Sequence, residues 1–573
     1  MRPARCVFLK RGLLLPALLL MNPLAAAAEA GAGGSGGDPA QRPTPAFAGA
    51  PAAPLPRPGG PPTSGEPLYL TAPEASGYQR TSRLAEVEAA LAALEASPFG
   101  ERCERATLGY SAGRADQAEP LPLLALRMSD GQPGRLRVLV LANIHGGEVE
   151  GKEASLMLMR ELAEGRHPEL LGRLELLWLP VYNPDGNEAI GPWNRVEQNG
   201  PEQGVGERAN GLGLDLNRDL IKAEAPETRA LLAALLEFDP HLLLDLHTTN
   251  GTDHAYPLTY ATSLTPGLDA DLAAYAEQRF LPAVAARLAA QGYATFDYGN
   301  LETLQGGGEA WRSFDARPRF LTNYIGLRNR IPILSEAFSY ADFKLRIEVT
   351  RAFVLACLQR AALEAEDIHR RIEAADRRAI DPSQALSLPL AVALEAPWPK
   401  TVWLQRIEEL ELRLPDGRTG RRRQATWELE PRPTLAQVRF RAETLRSLPA
   451  GWALAEPSAA LLEALTLHGV EMRRLDRPWS GRSERFLIRE SRQALRPFQG
   501  HRERSVSGAW TAGRVDLPAG ALIVPRSQPR ARLAAWLLEP ESLDSLTTWN
   551  RFDAELERDA SVHPVLRLLE LPD

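Results

Sequence analysis

Apolar residues along this chain change period, and each change marks an element. Continuous apolar runs of strand length stand at 121–128, 136–141, 174–181, 241–247 and 331–334. Between them apolar positions recur at helical spacing, at 149–162 and 227–237. A longer amphipathic stretch covers 269–290, where Pro282 is expected to kink or break a helix, and another covers 341–378. Near the start, LAEVEAALAALEA follows Ser82, which predicts a helix capped by that serine. Apolar strands alternating with helices predict an α/β fold, a central mixed, mostly parallel sheet flanked by helices. From residue 379 the texture changes. LPLAVAL and RIEELELRL alternate with turns, a helical pattern follows at 459–468, and ALIVPRSQPRARLAAWLLEP reads as a strand then a helix. The chain thus divides into a larger domain at 67–378 and a smaller mixed α/β domain at 379–573.

Composition adds an address. Arg2, Arg5, Lys10 and Arg11 precede an apolar run at 13–24, and Ala26-Ala27-Ala28 offers a cleavage site. This is the pattern of a secretory signal peptide at 1–28. The run is short and broken by Pro16, Asn22 and Pro23, which argues against a membrane anchor. No later stretch is long and apolar enough to span a bilayer, so the mature chain is expected in the periplasm, without a membrane span. Residues 29–66 are rich in Gly, Pro and Ala and read as a disordered linker. With 66 basic against 73 acidic residues the chain lacks the footprint of a nucleic-acid binder. Cys6 leaves with the signal; Cys103 and Cys357 remain, and an oxidising compartment allows a disulfide between them.

The candidate chemistry gathers where strands end. Residues 139–151 read LVLANIHGGEVEG, an apolar run, then His145, two glycines and Glu148, then a helical pattern. A His and a Glu so placed can face one point, like two ligands of a zinc ion that still needs a third. His247, closing the apolar run HLLLDLH, supplies it. Asn183 and Glu336 also stand at predicted strand ends, where open α/β sheets bind ligands.

Taken in order, His145-Gly146-Gly147-Glu148, Asn183-Pro184-Asp185-Gly186, Asp215-Leu216-Asn217-Arg218 and His247 resemble the zinc carboxypeptidase (funnelin, metallocarboxypeptidase) family, over about 67–378. The resemblance implies an eight-stranded mixed sheet, one zinc ion per chain and hydrolysis of an amide bond beside a free carboxylate. His145, Glu148 and His247 match the zinc ligands. Asn217 and Arg218 match the pair that grips the substrate carboxylate, and Asp215 the carboxylate that orients a ligating His. Glu336 matches the catalytic glutamate. A further arginine stabilises the oxyanion; Arg195 and Arg208 both lie in the right interval, and Arg208, nearer the Asn217-Arg218 pair, is preferred. Tyr324 is the nearest upstream tyrosine to Glu336 and stands for the family's mobile tyrosine at too short a spacing, or for packing. Arg317, Arg319, Arg328 and Arg330 either read an acidic substrate or, more plainly, pair with acids. His254 is left outside the metal site. The implied substrate is a peptide or small amide with a free carboxylate. The alternatives are a zinc amidase or deacylase acting on peptidoglycan peptides or N-acyl amino acids, and a non-catalytic peptide-binding module.

Overall fold

A computed structural model describes residues 66–249, 251–413 and 417–572. The signal peptide expected at 1–28 and nearly all of the linker lie outside the described residues. Ten strands serve the first half of the chain: β1 (Cys103–Tyr110), β2 (Pro122–Met128), β3 (Leu136–Ala142), β4 (Leu174–Leu179), β5 (Leu242–Thr249), β6 (Leu258–Ala261), β7 (Thr295–Asp297), β8 (Asn300–Thr303), β9 (Glu309–Arg312) and β10 (Ile331–Phe338). Eight of them form one mixed sheet in the order β1-β2-β4-β3-β5-β10-β6-β7. Its centre, β4-β3-β5-β10, is parallel.

The central strands are buried on both faces, which is why they read as unbroken apolar runs. Val138 and Val140 face one core with helices Leu84–Ala96, Glu150–Ala163 and Phe343–Leu363. Leu139 and Leu141 face the other, with helices Pro226–Glu237 and Leu321–Leu327. That second core also takes in Leu461, Leu465 and Trp536 from helices Ala459–Leu467 and Ala531–Leu538. The last third of the chain therefore completes a face of the central sheet.

The remaining strands are β11 (Ser387–Leu394), β12 (Trp398–Arg413), β13 (Thr419–Gln437), β14 (Phe440–Ser447), β15 (Gly451–Leu454), β16 (Arg473–Arg474), β17 (Trp479–Gln493), β18 (Arg504–Leu517), β19 (Leu522–Pro525) and β20 (Val562–Leu568). They make a β11-β14 pair, a sheet β12-β13-β9-β8 and a sheet β16-β19-β15-β20-β17-β18. Two long antiparallel hairpins, β12–β13 and β17–β18, reach back toward the central sheet.

Three local expectations are corrected. Ser82 does not cap the first long helix: its hydroxyl donates to the buried Glu153 carboxylate at 2.7 Å, and the Glu86 carboxylate accepts the Arg83 N–H at 2.9 Å instead. The 269–290 stretch is interrupted just before Pro282 rather than at it. A wide π turn, Ala276–Phe280, joins helices Ala270–Tyr275 and Leu281–Ala289 and makes room for the proline ring. Cys103 and Cys357 are both free thiols. The 341–378 stretch is two helices, Phe343–Leu363 and Ala365–Ile380. Among the described residues no helix is long and apolar enough to cross a membrane.

Candidate active site

The carboxyl ends of β3, β5 and β10 assemble the site. After β3 the chain reverses through Asn143, which has φ 61°. Its side-chain amide donates to the carbonyls of His145, Gly146 and Glu148 at 3.3, 3.2 and 3.1 Å, so it holds the turn that carries two candidate ligands. Gly146 is required by close approach: a Cβ there would lie 2.2 Å from the Gly186 carbonyl carbon and 2.5 Å from the Glu207 oxygen. The NPDG turn therefore packs directly under the HGGE turn. On the neighbouring strands His247 and Glu336 are register partners, side by side on one face.

His145, Glu148 and His247 are buried, and their ligand atoms lie within 4.8 Å of one another. Among the described residues they are the one group of His, Cys, Asp and Glu that could hold a metal. Nδ1 of His145 is 2.9 Å from one Glu148 oxygen and Nδ1 of His247 is 2.8 Å from the other. The far ring nitrogens meet carboxylates. His145 Nε2 is 3.2 Å from Asp215, and His247 Nε2 is 3.0 Å from Asp245. The second is a close ion-pair distance rather than a well-directed hydrogen bond, since both Asp245 oxygens lack a hydrogen-bond partner. Two imidazoles, one carboxylate and a carboxylate behind each ring are the donor set and outer support that zinc takes in catalytic sites. The residues fit the ion that the sequence implies.

Charge follows the same plan. Burial alone raises the Glu148 carboxyl, but His145, Arg195 and His247 outweigh it and hold it well below the usual range. Asp215 is likewise held low against burial, by the His145 hydrogen bond and charge and by Arg208 and Arg218. Glu336 goes the other way: burial, the largest influence, and the Glu148 charge push it up to about 8, against His247 and Arg195. Two carboxyls of one site thus differ in proton affinity because their neighbours differ in charge.

Both candidate arginines reach the cluster. Arg208 grips Asp215 through Nε and Nη2 at 3.1 and 2.8 Å and leaves Nη1 3.4 Å from His145 Nδ1, with its side chain 45% exposed. Arg195 pairs with Glu148 and donates to the Thr248 carbonyl at 3.3 Å. It also lines, with Trp193 and Ser339, a cavity of about 270 Å³. A larger cavity of about 490 Å³ lies elsewhere, lined by Arg137, Leu177, Phe238 and others, and holds none of the candidate residues. Asn217 spends its side-chain oxygen on the Leu321 N–H at 2.9 Å, so its amide nitrogen is the end left for a ligand. Arg218 lies 4.1 Å over the Phe320 ring and donates to the Asn217 carbonyl at 2.8 Å.

Other sequence candidates resolve as packing. Tyr324 is fully buried and its hydroxyl meets His468 Nδ1 at 2.9 Å. Arg317 pairs with Asp315, Arg319 with Asp544 and Glu503, and Arg330 with Asp239 and Asp376, while Arg328 donates to the Leu235 carbonyl. His254 is buried 4.3 Å from the Phe338 ring, outside the ligand cluster. Two residues escaped the sequence reading. Asp245 was legible, because D-L-H in a strand puts Asp and His on one face. Tyr298 was not. It is hydrogen-bonded to Thr249, and burial and then the Glu336 charge hold its hydroxyl well above its ordinary value.

Comparison with known proteins relates this region to a known family. Residues 99–320 match the family model for zinc carboxypeptidases. That stretch of the chain is similar to a zinc carboxypeptidase domain. Carboxypeptidase 2 of Trichophyton tonsurans is 23% identical over 434 residues, spanning 72% of this chain and 74% of that protein. Human carboxypeptidase D is 34% identical over 116 residues, 18% of this chain and 8% of that one. Among solved structures, a metallo-carboxypeptidase from Burkholderia cenocepacia aligns over 49% of this chain and 69% of its own, at 18% identity and a TM-score of 0.37. The matched residues, 99–320, hold β1 to β9 and take in His145, Glu148, Arg195, Arg208, Asp215, Asn217, Arg218 and His247; Glu336 lies beyond their end.

Proposed function

We propose that this protein is an exported zinc metallocarboxypeptidase that hydrolyses the peptide bond next to a C-terminal carboxylate. The observation that carries the reading is the convergence of His145, Glu148 and His247 with Glu336 on neighbouring strand ends, and with Arg208 and the Asn217–Arg218 turn beside them. His145, Glu148 and His247 hold the ion. Zinc, when bound, polarises the scissile carbonyl and makes water a better acid. Glu336 takes the proton from the attacking water and delivers it to the leaving amine. Arg208, anchored on Asp215, donates to the oxygen that gains charge as the carbonyl becomes tetrahedral. Arg195 is committed to Glu148 and Thr248, which is why Arg208 is preferred. Asn217 and Arg218 hold the terminal carboxylate, where a planar guanidinium fork offers paired hydrogen bonds. The basic, apolar and small-residue pattern at 1–28 supports export to a periplasm, with 67–378 as the catalytic domain and 379–573 as its accessory.

A second reading keeps the same site and changes the substrate to peptidoglycan peptides or N-acyl amino acids. It is favoured by the two hairpins that flank the cleft. Arg423 of β13 pairs with Asp253 and donates to the Tyr340 hydroxyl at 2.7 Å, Arg422 pairs with Glu202, and the β17–β18 tip meets Asp215. Walls of this kind suit small substrates. The test is mass spectrometry of products from a mixed set of peptides, N-acyl amino acids and wall fragments, with and without chelator. Chelator-sensitive loss of single C-terminal residues is expected. Cleavage confined to acyl amino acids or wall fragments selects the second reading, and no cleavage by zinc-loaded protein sinks both.

A further inference from the structure

The tip of the β17–β18 hairpin lies against the turn assigned to the substrate carboxylate. Gln499 Oε1 accepts the backbone N–H of Asp215 at 3.0 Å, across 284 residues of chain. The tip is built rigidly. Phe498 and His501 exchange backbone hydrogen bonds at 2.8 and 3.0 Å, and the two residues between them, Gln499 and Gly500, have φ of 47° and 87°. A tight hairpin turn demands positive φ there, which glycine and asparagine accept more readily than glutamine. A glutamine at this position is a local disadvantage, and its side chain has a use that offsets it.

The tip is also clamped from both sides. His501 Nε2 sits 3.0 and 2.9 Å from the two Glu224 oxygens, and Arg551 donates to Glu224 at 3.1 Å. Glu503 pairs with Arg319 at 2.7 Å, and the Arg319 guanidinium lies 5.6 Å from the Phe498 ring. Arg319 precedes Phe320, on which Arg218 stacks, and Leu321, which fixes Asn217. The turn Asp215–Arg218 is thus held from outside by two partners, the 319–321 segment and the hairpin tip, and the tip grips the first partner as well.

Resting on the carboxypeptidase reading, we infer that the accessory hairpin is part of the substrate site, with Gln499 as a positioning residue that fixes the carboxylate-gripping turn. Asp215 keeps its side-chain bonds to Arg208 and to the Asn217 N–H without Gln499, so the effect falls on the grip rather than on the reacting groups. Loss of a grip made equally in the ground and transition states raises KM and leaves kcat.

The full-length, zinc-loaded protein is compared with Gln499→Met, which keeps length and removes the acceptor, and Gln499→Glu, which keeps the acceptor. Gln499→Met is expected to raise KM for free-acid peptides about 3- to 10-fold, with kcat within about twofold, as loss of one hydrogen bond predicts. Turnover of the same peptides as C-terminal amides is expected to stay unchanged, and Gln499→Glu to restore most of the KM. Hydrogen exchange over residues 213–219, measured also without zinc, is expected to quicken in Gln499→Met alone. Unchanged KM with unchanged exchange overturns the inference. So does quickened exchange with unchanged KM, or an equal loss on acids and amides. If the wild type cleaves no free-acid peptide, the proposed activity fails, and exchange with and without a bound C-terminal carboxylate product decides the positioning role separately.

Discussion

Glu336 and Glu148 share one pocket yet differ in what surrounds them. Glu148 is met by two imidazoles and a guanidinium, and Glu336 faces burial with fewer counter-charges, which pushes it up to about 8. Removing its carboxylate while keeping its shape isolates its role. Glu336→Gln is expected to lower kcat by about 10²- to 10⁴-fold, the usual worth of a placed acid–base group, with zinc stoichiometry unchanged. Full activity in that variant would move the proton transfer elsewhere. Asp245 acts one step out, behind His247. Asp245→Asn is expected to weaken zinc binding about 10- to 100-fold, the range for lost outer-shell partners, read by competition with a chelator. At this scale the cluster of His145, Glu148 and His247 was legible, because each sits in a short run with distinctive chemistry. The arginine cluster at 317–330 was legible as charge but mostly not as partners, since apart from Asp315 its acids, Asp239, Asp376, Glu503 and Asp544, come from distant segments. Tyr324 and Tyr298 could not be ranked, because burial and facing belong to the packed structure.

Elements bring these residues within reach of one another. The HGGE turn can close on the NPDG turn because Gly146 lacks a side chain, with the Gly186 carbonyl carbon only 2.2 Å from where a Cβ would stand. Gly146→Ala is expected to destabilise the fold by about 1–3 kcal/mol, as overpacking does, and to reduce zinc binding by moving His145. Denaturant midpoints and zinc stoichiometry read the two effects; a variant with wild-type values for both would show that the turns can part without consequence. The central strands and most helices were legible because apolar periodicity is written in neighbouring residues. The break between Phe343–Leu363 and Ala365–Ile380 was not, since Glu364 interrupts the helix without a Pro or Gly to announce it. There the reason is tertiary: the Glu364 carboxylate accepts the Tyr275 hydroxyl at 2.8 Å and pairs with Arg279 and Arg360.

At the scale of the whole molecule, two further contacts tie the C-terminal third to the rest of the chain. One is ionic. Glu224 is pulled down to about 2, against burial, by His501, Lys222 and Arg551. Its folded value lies below the unfolded value of about 4.3, so its contribution is present above about pH 5 and is lost as pH falls toward 2. Glu224→Gln is expected to lower stability at neutral pH and to flatten the decline between pH 5 and 2, seen as denaturation midpoints across pH. A variant whose acid limb matches wild type would place the linkage in other groups. The other contact is apolar: Leu461, Leu465 and Trp536 share a core with Leu231, Leu235 and Leu321. Residues 67–378 alone are expected to bind hydrophobic dyes and unfold without cooperativity, because that face is left open. A soluble fragment with sharp unfolding would show the two parts to be independent. The sequence by itself determined the α/β class, the ordered ligand motifs and the change of texture at 379, because periodicity and short motifs are local. Only the tertiary structure decided the strand order, the pairing of the buried charges, and that a glutamine 284 residues away reaches the Asp215 turn. Those depend on which surfaces are buried together, and spacing along the chain carries no record of that.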